Sequence, residues 1–265
     1  MAIPVRDVEG LLIDMDGVLY RGDTPVPGMA PFLAHLDVAG IRHLFVTNNS
    51  SLTPGQFADK LGRMGAHVRP ERILTSALLA AAHLAAVATP ATRVFVVGEP
   101  GLRQALLDAG LVLTESADDA THVVAGIDRT LSYEKLARAT LALRRGAVFL
   151  GTNGDRTFPT ERGLEPGAGA MLAALEAASG VTPQLFGKPD PAFFAAALEQ
   201  LGTPKARTAM IGDRYETDIL GAARAGLVTI AVTSGVYDDA YFHRQSPPPD
   251  FVFPSVAAIH HALAR

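Results

Sequence analysis

Short apolar segments alternate with longer amphipathic segments along most of the chain. The apolar segments are rich in β-branched and aromatic residues, as buried strands are, and they lie at residues 10–14, 41–47, 93–98, 121–127, 147–152, 207–213 and 227–233. Helical periodicity is found between them, at residues 53–65, 101–110, 132–146, 167–180 and 190–202. This alternation predicts parallel sheets covered by helices on both faces. The predicted fold class is therefore α/β.

Two local features refine this prediction. Each of the five helical segments ends at or next to a glycine. We therefore expect a left-handed backbone conformation, which commonly ends a helix, at Gly65, Gly110, Gly146, Gly180 and Gly202. The longest segment without a formal charge, residues 73–92, is rich in Ala and also contains Ser, His, Thr and Pro. We therefore expect a short strand and a buried helix there, not a membrane span.

Composition narrows the range of functions. With 48% hydrophobic and 19% charged residues, the chain of 265 residues can bury a large core, so disorder is excluded. The net charge is -4 and no basic stripe is present, which argues against a nucleic-acid partner. The absence of Cys excludes disulfides, zinc–thiolate sites and iron–sulfur clusters. Because the first residues lack a secretory pattern, we expect a cytoplasmic protein that is not bound to a membrane.

The clearest candidate chemistry follows the first predicted strand, in the segment LLIDMDGVLY. Asp14 and Asp16 stand two residues apart, so in an extended backbone both carboxylates point the same way. They could form an ordinary Asp-rich turn with Gly17. They could also share a hard cation, or serve as a nucleophile and a proton donor. The residues alone leave these alternatives open.

Three further polar groups follow other predicted strands or begin helices. Thr47 and Asn48 form either a cradle for phosphate oxygens or an Asn-rich turn. Lys188, flanked by prolines in GKPDP, is either solvated or aimed at a transferring phosphoryl group. Asp213 follows a predicted strand, where it could supply a third carboxylate ligand to a metal ion, and Asp218 suits a helix cap. In parallel sheets, ligands gather beyond the carboxyl ends of strands.

Taken together, these motifs resemble the haloacid dehalogenase (HAD) superfamily. The order of DMDGV, TNNSS, GKPDP and GDRYETDI agrees with that family over essentially the whole chain. The resemblance implies a Rossmann-like core, in which a central parallel sheet is flanked by helices, plus an inserted α/β cap domain. The second Asp of the first motif favours a phosphatase over a dehalogenase, because a halide leaving group needs no proton.

Motif spacing indicates where the cap is inserted. The stretch between Asp14 and Thr47 is too short for another domain, whereas the stretch from Thr47 to Lys188 is longer than the core needs. The predicted core therefore comprises residues 1–78 and 183–265, and the predicted cap comprises residues 79–182. This arrangement is similar to the NagD-like, 4-nitrophenylphosphatase group of HAD subfamily IIA, which includes phosphatases of phosphoglycolate, glycerol phosphate and nucleotides.

The resemblance also implies roles for single residues. Asp14 would take the phosphoryl group as an aspartyl phosphate, and Asp16 would protonate the leaving alcohol and then activate water. Mg²⁺ would bind the carboxylates of Asp14 and Asp213 and the backbone carbonyl of Asp16. The remaining implied roles are phosphate binding by Thr47, Asn48, Lys188 and the N–H groups of the Met15–Gly17 turn, and orientation of metal waters or Lys188 by Asp218.

Substrate choice is expected to depend on the cap. The loop 153–159 is one candidate, with Asn153, Asp155, Arg156 and Glu161 as polar contacts, and Arg21 could also meet the cap; each could equally be a solvated surface residue. The expected partner is a small phosphorylated metabolite, and the resemblance allows a homodimer formed through the cap.

Two alternatives stay open: a phosphotransferase or mutase that uses the same intermediate, and a non-catalytic phosphometabolite-binding module. Asp16 argues against the second, because only turnover needs it.

Overall fold

The computed structural model describes residues 3–160 and 163–263. The strands are β1 (Gly10–Asp14), β2 (Tyr20–Arg21), β3 (Thr24–Pro25), β4 (Arg42–Thr47), β5 (Ile73–Thr75), β6 (Val94–Val97), β7 (His122–Ala125), β8 (Val148–Gly151), β9 (Thr157–Thr160), β10 (Gly163–Pro166), β11 (Gln184–Leu185), β12 (Thr208–Gly212), β13 (Val228–Val232) and β14 (Phe251–Phe253). The α-helices are α1 (Met29–Val38), α2 (Pro54–Arg63), α3 (Ser76–Val87), α4 (Pro100–Asp108), α5 (Tyr133–Arg144), α6 (Ala168–Ser179), α7 (Pro191–Leu201), α8 (Leu220–Ala225), α9 (Asp239–His243) and α10 (Val256–Leu263). A π-helical turn, Tyr215–Ile219, precedes α8.

The chain divides into two compact units. The first comprises Met1–Thr47, Phe57–Leu74 and Lys188–Arg265, and the second comprises Asn48–Gln56 and Thr75–Gly187. The predicted cap, residues 79–182, lies inside the second unit. Its role in choosing the substrate stays a prediction.

A parallel sheet organises the first unit. In the described part of the chain it has six strands in the order β14-β13-β12-β1-β4-β5, and β1 pairs in parallel with both β12 and β4. Strands β1, β12 and β13 are buried along their whole length. Helix α1 packs against α10, and α7 packs against α8. Because the central strands are parallel, their carboxyl ends meet at one edge of the sheet.

The second unit contains a smaller parallel sheet with helices on both faces. Its order among the described residues is β11-β8-β7-β6. Alternate residues of β6 enter different cores: Val94 and Val96 pack with α3 and α4, whereas Phe95 and Val97 pack with α5 and α6. A strand that is buried on both faces is apolar without a break, which explains why VFVV could be recognised in the sequence.

The seven predicted strands and five predicted helices are confirmed, with bounds that differ by at most two residues. The five glycines predicted to end helices all have positive φ angles, for instance 78° at Gly180 and 68° at Gly202. One prediction needs correction. Residues 157–159 of the predicted loop 153–159 belong to β9, which pairs with β10 in antiparallel orientation. Each of the two strands contains a proline, so that neither shows the hydrophobic pattern of an ordinary strand.

The Ala-rich segment at residues 73–92 forms β5 and α3, as predicted. The Thr75 hydroxyl caps α3 by accepting a hydrogen bond from the Leu78 N–H at 3.2 Å. The buried face of the helix consists of small residues and one leucine, namely Ser76, Ala77, Ala80, Ala81 and Leu84. Among the described residues, no helix combines the length and the apolarity that crossing a bilayer requires.

Replacing Leu12 tests whether the central strand anchors the first unit. Leu12 is fully buried in β1, opposite Leu44 of β4 and Met210 of β12. We expect Leu12→Ala to lower the free energy of unfolding by about 2–5 kcal/mol, because it leaves a cavity in a packed sheet. Equilibrium unfolding in urea, followed by circular dichroism, measures this change. Val38→Ala is the matched control, since Val38 is 89% exposed at the end of α1; equal effects of the two substitutions would contradict the expectation.

Candidate active site

Three predicted site residues lie at the ends of adjacent strands of the first unit. Asp14 is the last residue of β1, Thr47 is the last residue of β4, and Asp213 directly follows β12. Asp14 is paired in register with Val46, the neighbour of Thr47. All three residues are buried. The parallel pairing of β12, β1 and β4 therefore brings together side chains that are far apart in the sequence.

Lys188 joins this group through two ion pairs. Its Nζ atom lies 2.6 Å from Asp14 Oδ1 and 2.8 Å from Asp218 Oδ1, and it donates a longer hydrogen bond of 3.4 Å to the carbonyl oxygen of Val46. The Lys188 side chain is only 3% exposed. An ammonium that is buried this deeply needs such partners to offset its lost hydration. The predicted contact between Asp218 and Lys188 is thus present, although Asp218 stands in the π-helical turn and not at a helix cap.

Asp14, Asp213 and Asp218 form a compact cluster of carboxylates. One oxygen atom of each lies within 4.8 Å of the others. Asp213 Oδ2 accepts a hydrogen bond of 2.9 Å from the Val236 N–H, while Asp213 Oδ1 is buried without a hydrogen-bond partner among the described residues. Such an oxygen is suited to a hard cation, which prefers carboxylate ligands. The residues therefore fit a Mg²⁺ site.

Glycines allow the backbone to approach this cluster closely. A Cβ atom added to Gly17, whose φ angle is 83°, would collide with the Asp213 carboxylate, and so would one added to Gly235. A Cβ atom on Gly212 would collide with the Asp218 side chain. The space around the two carboxylates thus depends on residues that lack a side chain.

Burial and crowding shift the pKa values of the cluster. Burial raises the pKa of Asp14 well above its ordinary value, and the Lys188 ammonium opposes part of that rise. Burial and the charge of Asp218 raise the pKa of Asp213 to about 7. Burial lowers the pKa of Lys188, but the two carboxylates raise it by more, so that it lies above its usual range. The ammonium is thus held in its charged form, and a cation between the carboxylates would favour their ionised forms.

The turn after β1 has a fixed backbone. The Met15 side chain is buried, and its carbonyl oxygen accepts a hydrogen bond of 2.9 Å from the Leu19 N–H. The Gly17 N–H donates to the Tyr20 carbonyl oxygen at 2.8 Å. Asp16 lies between these residues and is less buried than Asp14. That N–H groups of this turn hold phosphate stays a prediction, and the Gly17 N–H already has an acceptor in this turn.

In the second unit, Asn48 contacts the loop that follows β8. Its Nδ2 donates to Asp155 Oδ2 at 3.1 Å, and its carbonyl oxygen accepts from Asn153 Nδ2 at 2.7 Å. Asn153 is buried, whereas Arg156 is exposed. The structure thus brings Asn48, for which phosphate binding was predicted, together with Asn153 and Asp155, which were both predicted as substrate contacts. Glu161 lies outside the described residues.

One segment that contacts the cluster, directly after β13 in the first unit, was not among the predicted site residues. Ser234 Oγ donates to the Gly17 carbonyl oxygen at 2.8 Å, and Val236 provides the N–H that binds Asp213. Arg21, which we expected to meet the cap, donates from Nε to the Ser234 carbonyl oxygen at 2.5 Å. The position of this segment was visible in the sequence, because Ser234 and Gly235 follow the apolar run LVTIAVT as other polar groups follow their strands.

Comparison with known proteins is consistent with this geometry. A family model described as haloacid dehalogenase-like hydrolase matches residues 11–112. A second model, described as HAD-hydrolase-like, matches residues 185–259. The first match contains Asp14, Asp16 and Thr47, and the second contains Lys188, Asp213 and Asp218, so every core motif falls within a matched segment.

Relatives are similar over almost the whole chain. An acid sugar phosphatase of Staphylococcus aureus is 41% identical over 249 residues, which is 94% of this chain and 95% of the relative. The crystal structure of a 4-nitrophenylphosphatase from Thermotoga maritima is 35% identical, with a TM-score of 0.90 and 98% of each chain covered. A glycerol phosphate phosphatase from Mycobacterium tuberculosis, solved in complex with magnesium, is 35% identical, with a TM-score of 0.88 over 98% of this chain and 79% of that one. The chain therefore belongs to the haloacid dehalogenase-like hydrolases, in the NagD-like subfamily IIA, and is a phosphatase.

Proposed function

We propose that this phosphatase hydrolyses small phosphomonoesters by transferring the phosphoryl group to Asp14. The observation that carries the proposal is the buried carboxylate cluster of Asp14, Asp213 and Asp218, with the Lys188 ammonium 2.6 Å from Asp14. An anionic nucleophile can approach an anionic phosphate only where positive charge offsets the repulsion. Lys188 supplies part of that charge at the nucleophile itself.

The proposed reaction has two steps. A carboxylate oxygen of Asp14 attacks phosphorus, the bond between phosphorus and the ester oxygen breaks, and Asp16 gives its proton to the departing oxygen. Asp16 then takes a proton from water, whose oxygen attacks the phosphorus of the aspartyl phosphate and releases inorganic phosphate and free Asp14. Phosphoryl transfer has a loose transition state, so that positioning and charge stabilisation supply most of the acceleration.

Mg²⁺ is the cation that the donor set fits. The carboxylates of Asp14 and Asp213 would hold it, as would the Asp16 carbonyl oxygen by the family resemblance. When bound, Mg²⁺ neutralises charge on the phosphoryl oxygens and on the carboxylates. The buried Oδ1 atom of Asp213 supports this assignment. Thr47, buried at the end of β4, and Lys188 would hold phosphate oxygens beside it.

The proposed substrates are sugar phosphates and glycerol phosphate, with 4-nitrophenyl phosphate as an artificial substrate. This class rests on the names of the relatives, which are similar to this chain across both compact units. Selection among these esters is proposed to involve the loop at residues 153–156. Polar side chains there suit the hydroxyl groups of a sugar or of glycerol.

Replacing Asp14 tests the nucleophile. We expect Asp14→Asn to lower kcat by at least about 10³-fold, because an amide cannot form the covalent intermediate. Release of phosphate from glycerol phosphate at saturating Mg²⁺ measures the loss. Asp119→Asn, which changes an exposed carboxylate of the second unit, should keep the rate of the unmodified protein. Near-normal turnover by Asp14→Asn would show that another group attacks phosphorus.

Replacing Asp16 tests the proton donor and distinguishes two kinds of leaving group. We expect Asp16→Asn to slow turnover of glycerol phosphate more than formation of nitrophenolate, since an alkoxide needs a proton to leave and nitrophenolate does not. With 4-nitrophenyl phosphate, a burst of about one nitrophenolate per active site should precede slow turnover. Stopped-flow absorbance measures this burst. Equal losses on both esters, without a burst, would contradict the assigned role.

Metal dependence and substrate class are tested together. We expect phosphate release from a panel of sugar phosphates, glycerol phosphate and nucleoside monophosphates to stop in EDTA and to return with added Mg²⁺, because the carboxylate cluster needs a cation. Comparison of kcat/KM across the panel, with sugar phosphates and glycerol phosphate highest, would support the proposed class. Full activity in EDTA would contradict the metal assignment, and a preference for nucleotides would contradict the substrate class.

A further inference from the structure

The segment between β13 and the first turn of α9, residues 234–241, passes beside the carboxylate cluster of the first unit. We refer to it as the strap. Its beginning is fastened to the turn after β1, where Ser234 Oγ donates to the Gly17 carbonyl oxygen at 2.8 Å and Arg21 Nε donates to the Ser234 carbonyl oxygen at 2.5 Å. Two residues later, the Val236 N–H donates to Asp213 Oδ2 at 2.9 Å.

The other end of the strap is fastened by a pair of tyrosines. The hydroxyl group of Tyr237 donates to Glu216 Oε2 at 3.1 Å, and that of Tyr241 donates to Glu216 Oε1 at 2.9 Å. The two rings are stacked, with centroids 3.8 Å apart and planes 8° from parallel. The fully buried ring of Phe242 meets both rings edge-on, with centroids 6.0 Å away. The tyrosine pair is therefore fixed by one carboxylate and one core residue.

Glu216 connects the strap with the candidate metal site. It belongs to the π-helical turn Tyr215–Ile219, which also carries Asp218. Two residues of this turn therefore connect it with the cluster. Asp218 forms an ion pair with Lys188, and Glu216 accepts a hydrogen bond from Tyr237 of the strap. Because Tyr237 directly follows Val236, a displacement of the Tyr237 ring would move the amide that binds Asp213.

We propose that Glu216, Tyr237 and Tyr241 form a positioning clamp that keeps the Val236 N–H on Asp213 Oδ2 and thereby presents Asp213 Oδ1 to Mg²⁺. The inference rests on the Mg²⁺ site of the proposed function. It follows from the different surroundings of the two oxygens, since Oδ2 has the Val236 N–H and Oδ1 has no hydrogen-bond partner in the described part of the chain. A carboxylate that cannot rotate offers the same oxygen to the cation each time.

The clamp is tested by removing the two hydroxyl groups and keeping the rings and the charge of Glu216. In the double variant Tyr237→Phe, Tyr241→Phe, we expect the Val236 amide to exchange its hydrogen about tenfold faster in Mg²⁺-free protein, as measured by NMR. We expect the Kd for Mg²⁺ alone, measured by calorimetry without substrate, to rise about fivefold. Tyr133→Phe is the matched control, because Tyr133 is 86% exposed on α5 of the second unit, and it should change neither value.

A second variant separates the clamp from simple charge. Glu216→Gln removes the negative charge but retains one oxygen that accepts from a tyrosine, so that exchange at Val236 should be intermediate between the unmodified protein and the double variant. If Glu216→Gln weakens Mg²⁺ binding while the double tyrosine variant binds Mg²⁺ normally, the charge of Glu216 acts at a distance and the clamp is refuted. Normal exchange at Val236 in the double variant would refute it as well. If the unmodified protein binds no Mg²⁺, the proposed metal site itself fails, and the clamp fails with it.

Discussion

The buried ammonium of Lys188, held between Asp14 and Asp218, is the interaction on which the rest of the site depends. It joins three segments that are far apart in the sequence: the end of β1, the π-helical turn before α8 and the loop before α7. Removing a single charge from water costs free energy, and the attraction between the ammonium and the two carboxylates offsets part of that cost. Loss of any one would leave an uncompensated charge in the interior. The same arrangement that makes the cluster stable also sets positive charge beside the proposed nucleophile.

The parallel sheet makes this arrangement attainable. Strands β12, β1 and β4 are in register, so the residues at their ends converge without any long side chain having to reach across. Glycines at positions 17 and 235 then allow the backbone to approach Asp213 more closely than any other residue would. The strap adds a directional hydrogen bond to that carboxylate. Rigid strands thus place the carboxylates, and the loops determine which oxygen atoms face the cation.

Much of the fold could be predicted because parallel strands buried on both faces read as uninterrupted apolar runs. The positions of Asp14, Thr47 and Asp213 after such runs could be predicted for the same reason. The position of the strap after an apolar run could also have been recognised, but its contact with Asp213 could not, because the Val236 N–H is a backbone donor that does not depend on residue type. The contact of Asn48 with Asp155 was also missed, since it joins residues more than a hundred positions apart. Strands β9 and β10 lack the alternation that predicts a strand, so the sequence indicates a loop at residues 153–159.

The central claim is that Asp14, and not water, attacks the phosphate ester. The stereochemical course at phosphorus tests this most directly, with a phosphorothioate ester that is made chiral at phosphorus by one heavy oxygen isotope and is hydrolysed in water carrying the third oxygen isotope, so that the inorganic thiophosphate released is itself chiral. Two successive in-line displacements, one by Asp14 and one by water, predict overall retention of configuration. Overall inversion would mean a single displacement by water, and it would contradict the covalent role of Asp14.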